Sequence, residues 1–202
     1  FDFSSVKYGL FSAGGSVSEK YAPIAAEAGA IVIDNTSAFR NIDEIPLVVP
    51  EVNPHMLENV EPGSIIANPN CSTIQMLVAL APIQKAVGIE RINVATYQSV
   101  SGAGASALRE LAEQTVERLS FKEPTLNKFA QPIAFNCLPQ IDTMQDNGYT
   151  REEMKMVWET QKIFEDKNVL VNATAVRVPV FFGHSEAVHL ETRDDIDMEQ
   201  VR

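Results

Sequence analysis

Only two cysteines, Cys71 and Cys137, occur in the 202 residues. That is too few for a disulfide framework, and no Cys/His spacing has the pattern of a zinc site. Histidine is equally scarce: His55, His184 and His189 are scattered, and no metal is expected. No apolar run reaches 18 residues and no basic leader precedes an apolar segment, so neither a membrane span nor a signal peptide is supported, and a reduced, cytoplasmic setting is expected. Clustered Lys and Arg are missing too. With a net charge of −11, a nucleic-acid partner is not expected, because such binders need basic clusters to displace counterions. An initiator methionine is absent, and so is a G-x-G-x-x-G or G-x-x-G-x-x-G fingerprint. The opening at Phe1 and the close on "DDIDMEQVR" read as those of an internal piece of a longer protein.

What is present can fill a core, since 45% of the residues are hydrophobic. Residues Val6 to Ser12 alternate toward "SAGG", a helix-like stretch runs from Ser18 to Ala28, and "GAIVIDN" follows, which predicts a βαβ unit with parallel strands. Residues 41–63, with four prolines and three asparagines, read as irregular surface connection. From Ser72 to Gly88, Ile74, Leu77, Val78 and Ala81 keep a helical period, with a kink expected at Pro82 and an end at Gly88. "RINVATYQSV" reads as a strand, and an amphipathic helix follows through Leu108, Leu111, Thr115 and Leu119. "PIAFN" reads as a short strand, which makes Cys137 a buried structural thiol. Thr150 and Glu153 are spaced as a capping box for a helix whose buried face is expected at Met154, Val157, Trp158 and Phe164. The last strong element is a β-rich run from Asn168, broken at Pro179 and Gly183.

The stretch "ANPNCSTIQML" places Cys71 where a helical pattern begins. Unpaired N–H groups at a helix start favour the thiolate, the form that attacks carbonyl carbon, although a lone cysteine is more often a small core residue. A nucleophile needs a base, and His184, at the break in the long β run, is the best-placed histidine. Arg177 lies seven positions before it. An odd separation puts side chains on opposite faces of an unbroken strand, so the Pro179 to Gly183 segment must re-aim one of them if the two share a site.

"ANPNCSTIQM", "TYQSVSGAG", "AFNCLPQID", "EEMKMVWETQKI" and "VRVPVFFGHSE", in that order, closely resemble the aspartate-β-semialdehyde dehydrogenase family over nearly the whole chain. The resemblance implies an α/β fold, with the remnant of a Rossmann-like NADP-binding domain (residues 1–70). An α/β catalytic and dimerisation domain of the glyceraldehyde-3-phosphate-dehydrogenase-like C-terminal type follows (residues 71–202), its sheet mostly antiparallel or mixed. It implies a thioester on Cys71, acid/base work by His184, and substrate orientation by Gln98. Arg177, Glu152 and Asn70 would bind substrate, and Arg40 and Lys155 phosphate. Ser12, Ala13 and Gly14 would lie against the cofactor, and Ser101 and Gly102 against its nicotinamide end. The implied partners are NADP, aspartate semialdehyde or aspartyl phosphate, inorganic phosphate and a second subunit, in a homodimer on the route to lysine, methionine and threonine. Two other readings stand beside it: a non-catalytic fragment or interaction paralogue, and N-acetyl-γ-glutamyl-phosphate reductase. The latter typically has glycine before its cysteine and an aromatic after it, where this chain has Asn70 and Ser72.

Overall fold

Alternation into a glycine pair produces a strand and a turn, as expected. In the computed structural model, which describes residues 2–201, β1 (Tyr8–Phe11) passes through Gly14 into α1 (Gly15–Glu27), and β2 (Ile31–Asp34) returns parallel to β1 with Tyr8 opposite Ile31. Ser18, Ala22 and Ala25, spaced at i, i+4 and i+7, are fully buried on one face of α1. The Ser18 hydroxyl donates to buried Asp34 Oδ1 at 2.6 Å, which ties the helix to the end of β2. A third parallel strand, β3 (Ile65–Ala67), completes the order β1-β2-β3.

β3 was not expected, and residues 41–63 are not all surface. Leu47, Val48 and Val49 are buried, and Ala67 donates to Pro46 O at 2.9 Å while Val48 donates back to Ala67 O at 3.1 Å. Buried Asn53 takes up the rest, its Nδ2 donating to Leu47 O at 2.9 Å and its Oδ1 accepting from Val49 N at 2.8 Å, so three apolar residues in a row bury with their backbone paired despite the prolines on either side.

Asn70 caps α2 (Cys71–Val87), which runs through Pro82 and ends at Gly88, whose φ of 68° suits a residue without Cβ. β4 (Ile89–Gln98) leads through a 3₁₀ turn at Val100–Ala103 into α3 (Ala105–Leu119). The face α3 buries is Ala107, Glu110, Leu111 and Gln114, whereas Leu119 is exposed. Val100, Ala107, Leu111, Ile133 and Ala134 form an apolar cluster there, so truncating Leu111 to alanine should cost about 2–5 kcal/mol. α4 (Arg151–Ile163), β5 (Leu170–Arg177), β6 (Ser185–Thr192) and a short α5 (Met198–Val201) complete the chain. A second sheet has the order β5-β4-β6, with β4 and β5 parallel from Arg91 opposite Leu170 to Gln98 opposite Arg177.

Three expectations need correction. "PIAFN" forms no strand: Phe135 has φ 58°, in a turn, and only Leu138 makes an isolated bridge, to Arg177. Cys137, just after that turn, is therefore exposed. The capping box of α4 does form, with Thr150 N donating to Glu153 Oε2 at 2.6 Å and Glu153 N to Thr150 Oγ1 at 3.3 Å. Its buried face, however, is Glu152, Glu153, Met156, Glu159, Thr160 and Ile163, while Trp158 is exposed. The apolar stripe misleads because the inward carboxylates have partners that repay their desolvation.

The chain forms two compact units, one made of Phe1–Glu90, Met156–Val169 and Thr192–Arg202, the other of Arg91–Lys155 and Leu170–Glu191. Each holds its own group of candidate residues.

Candidate active site

In the first unit the sequence Asn-Cys-Ser-Thr builds the start of α2. Asn70 has an extended backbone, and its Oδ1 accepts from Ser72 N at 2.9 Å and Thr73 N at 3.4 Å. Cys71 is thus the first helical residue, exposed, with its thiol at the positive end of a 17-residue helix. The Asn70 N–H is itself held, by Glu159 Oε2 at 2.7 Å.

Glu159 is the residue that sequence reasoning missed. It is 1% exposed, and its other oxygen accepts from Arg40 Nη1 at 3.2 Å. Arg40 also donates through Nη2 to Asn35 O at 3.1 Å, and its buried Nε has no hydrogen-bond partner. Burial lifts the Glu159 carboxyl above its usual range even against the Arg40 charge. One turn later Lys162 donates to the carbonyls of Arg40, Ile42 and Ile45 at 3.0, 2.6 and 2.9 Å, fixing the loop that carries Arg40. The only trace in the sequence is the i, i+3 spacing of Glu159 and Lys162 in "ETQK", a spacing common on solvated helix faces.

At the carboxyl end of β1, the Ser12–Gly14 turn stands before the start of α1, where no side chain caps the helix. Gly14 has φ 105°, and a Cβ on Gly14 or Gly15 would meet nothing within 4 Å. Open space, uncapped N–H groups and the end of a parallel strand fit an anionic nucleotide, which would lie against Ser12, Ala13 and Gly14.

In the second unit the register sets Gln98 and Arg177 side by side at the ends of β4 and β5. Both are buried. Gln98 Nε2 donates to Glu152 Oε1 at 3.3 Å and to Thr96 Oγ1 at 3.2 Å, and Arg177 Nη1 donates to Ser99 O at 2.7 Å. The strand break does re-aim the chain. After Arg177, Val180 O and Phe181 O accept from Val100 N and Ser101 N, and Gly183, at φ 83°, turns the backbone into His184. His184 and Arg177 then converge on Gly102, where a Cβ would stand 3.3 Å from Arg177 Nη1 and 3.6 Å from His184 Nε2. Glycine at 102 eases the approach of Arg177, against which a Cβ would be tight, while His184 would meet it at ordinary contact distance.

His184 Nδ1 accepts from Ser99 N at 3.1 Å and lies 3.2 Å from Ser99 Oγ, which is 2.9 Å from Ser101 Oγ. A neutral imidazole that accepts at Nδ1 carries its proton on Nε2, the atom facing Gly102. Burial, assisted by the Arg177 charge, holds the ring below its ordinary value of 6.5. Lys155 is clamped between Asp142 Oδ2 at 2.8 Å and Glu152 Oε2 at 3.0 Å. Burial pulls its ammonium down, but the two carboxylates outweigh it and hold Lys155 above its ordinary value. Asp142, unforeseen in the sequence, sits at φ 69° to reach Lys155. Arg177, Glu152, Lys155 and Asp142 line a cavity of about 770 Å³. Among the described residues no helix is long and apolar enough to cross a membrane, and no cluster of ligating side chains could hold a metal.

A parallel βαβ unit with an open glycine turn, followed by a second α/β unit, has the architecture of an α/β dehydrogenase fold. Residues 80–202 match the family described as semialdehyde dehydrogenase, dimerisation domain, and residues 1–60 match semialdehyde dehydrogenase, NAD binding domain. The chain therefore belongs to the semialdehyde dehydrogenase family. Aspartate-semialdehyde dehydrogenase 2 of Vibrio cholerae is 67% identical over 201 residues, which cover 100% of this chain and 60% of that protein. A crystal structure of the Vibrio cholerae enzyme II complexed with ASA superposes with a TM-score of 0.95 at 66% identity, over 100% of this chain and 60% of that one. The Candida albicans aspartate semialdehyde dehydrogenase with NADP superposes at 0.71 and 26% identity, over 96% and 54%. The chain thus spans about 60% of the length of its curated relatives.

Proposed function

We propose that the protein carrying this chain reduces aspartyl phosphate to aspartate semialdehyde, reversibly and with NADP, through a thioester on Cys71. The observation that carries this reading is the placement of Cys71 as first residue of α2 behind the Asn70 cap, in a chain of this family. The helix start favours the thiolate. Cys71 Sγ attacks the acyl carbon, the bond from that carbon to the phosphate oxygen breaks, and inorganic phosphate leaves. A nicotinamide dinucleotide, when bound, supplies hydride to the resulting thioester carbon. His184 Nε2–H donates to the acyl oxygen as negative charge gathers there, and collapse of that oxyanion expels the Cys71 thiolate and releases the aldehyde.

Arg177 holds the substrate carboxylate, for which a planar guanidinium can offer two parallel N–H groups, and Glu152 takes the substrate ammonium. Gln98, held by Thr96 and Glu152, orients the acyl group, and Asn70 lies next to the nucleophile. Arg40 and Lys155 take the phosphate; the unpartnered Nε of buried Arg40 supports its part. Ser12, Ala13 and Gly14 receive the cofactor, with Ser101 and Gly102 at its nicotinamide end. Residues 1–70 serve as the dinucleotide-binding part and residues 71–202 as the catalytic and dimerisation part of a cytoplasmic homodimer.

The complete polypeptide should reduce NADP in the presence of aspartate semialdehyde and phosphate. Cys71→Ser should abolish this and also abolish the incorporation of substrate radiolabel into acid-precipitated protein. Label retained in Cys71→Ser would overturn the reading.

A further inference from the structure

Glu110 and Gln114 face inward one turn apart on α3, 2% and 0% exposed, and both direct their polar atoms at the backbone of one loop. Gln114 Oε1 accepts from Ile133 N at 2.8 Å and Ala134 N at 3.2 Å, while its Nε2 donates to Thr125 O at 2.9 Å and Glu110 Oε1 at 3.0 Å. Glu110 accepts from Phe129 N at 3.4 Å through Oε1 and from Lys128 N through Oε2. The loop from 125 to 134 has no secondary structure of its own. Ordering each such residue costs about 1–2 kcal/mol of backbone entropy, so buried bonds must fix it. The same loop supplies Lys128, Phe129, Ala130 and Gln131 to the cavity of about 770 Å³ that holds Arg177 and Glu152.

We propose that Glu110 and Gln114 are positioning residues that hold the 125–134 loop as a wall of the substrate cavity and thereby set the length of substrate it accepts. The pairing is chemically specific. Three N–H groups converge on Glu110, and a carboxylate offers only acceptors to them; an amide at 110 would turn an N–H against one. Neither side chain lines the cavity, so their effect passes through the loop. This rests on the proposed function.

The test uses Glu110→Gln and Gln114→Met in the complete polypeptide. It compares kcat and KM for aspartate semialdehyde and its one-carbon-longer homologue, together with amide hydrogen exchange. Leaving buried donors unmet should raise KM about tenfold with kcat within about twofold. The preference for the shorter substrate should fall, and faster exchange should be confined to residues 125–134. Faster loop exchange with unchanged KM and unchanged preference overturns the proposal, as does exchange that spreads through β4 and β5, the mark of a purely structural role. Should one variant fail to fold, the other carries both arms. A wild-type protein that turns over neither substrate overturns the functional reading instead, and this proposal with it.

Discussion

His184 is defined by what it accepts. Its Nδ1 takes hydrogen from Ser99 N, which only an unprotonated Nδ1 can do, so protonation would break that contact as well as bury a charge. Its pKa is held below 6.5 by burial first, with the Arg177 charge in the same sense, against the opposing pull of a Gly183 backbone hydrogen bond and, less strongly, of Glu152. Between the folded and the ordinary value the unfolded chain binds more protons, so stability falls as pH drops below 6.5 and the loss is complete below the folded value. An NMR titration of the His184 ring should give a midpoint below 6.5, and Glu152→Gln should move it lower still by removing the favourable charge. A midpoint above 6.5 would show that the ring is not desolvated. Glu159 poses a harder test, because its two oxygens hold Arg40 and the backbone next to Cys71. Removing one member of a buried ion pair costs about 3–5 kcal/mol, and urea denaturation of Glu159→Ala should show a loss of that size. None of these dependencies is visible in the sequence, since "ETQK" has the look of any exposed helix turn.

At the scale of elements, the two capped helices separate stability from chemistry. Asn70→Ala and Thr150→Ala each remove an N-cap and should each cost about 1 kcal/mol. Only the first should also slow alkylation of Cys71 at neutral pH, because losing the Asn70 cap lets the first turn of α2, which carries the thiol, fray, whereas α4 carries none. Equal alkylation rates in both variants would mean that the helix start does not activate the thiol. This is also the scale at which the sequence was read unevenly. The βαβ unit, α2 with its Gly88 end, β4 and the β5–β6 break were legible, because periodicity, glycine and proline act locally. The inward face of α4 was not, because Glu152, Glu153 and Glu159 are buried by partners distant in sequence, and apolar spacing alone chose Trp158 instead. Likewise the apolar string around Cys137 suggested a strand, whereas Phe135 at φ 58° turns the chain. Of the candidate site, the residue types were legible from motif order. The pairing of Gln98 with Arg177 by strand register, and the approach of Arg177 and His184 to Gly102, were not.

At the scale of the molecule, the chain leaves its first compact unit after Glu90, returns at Met156, leaves again after Val169 and returns once more at Thr192. The first unit is therefore not contained in any one stretch of sequence. Residues 1–90 hold all three strands of the parallel sheet together with α1 and α2, and by the logic of consecutive elements they could pass for an independent domain. They lack Met156–Val169, however, and with it Glu159 against Arg40 and Asn70, and Lys162 across the carbonyls of Arg40, Ile42 and Ile45. A fragment of residues 1–90 would then hold a buried guanidinium without its carboxylate, and a buried Asn70 N–H without its acceptor. Expressed alone, it should unfold without a cooperative transition when followed by circular dichroism in urea, while residues 1–202 should show one. A sharp transition for 1–90 at the same urea concentration would mean that the α4 contacts add nothing to this unit, and that Glu159 serves the site alone.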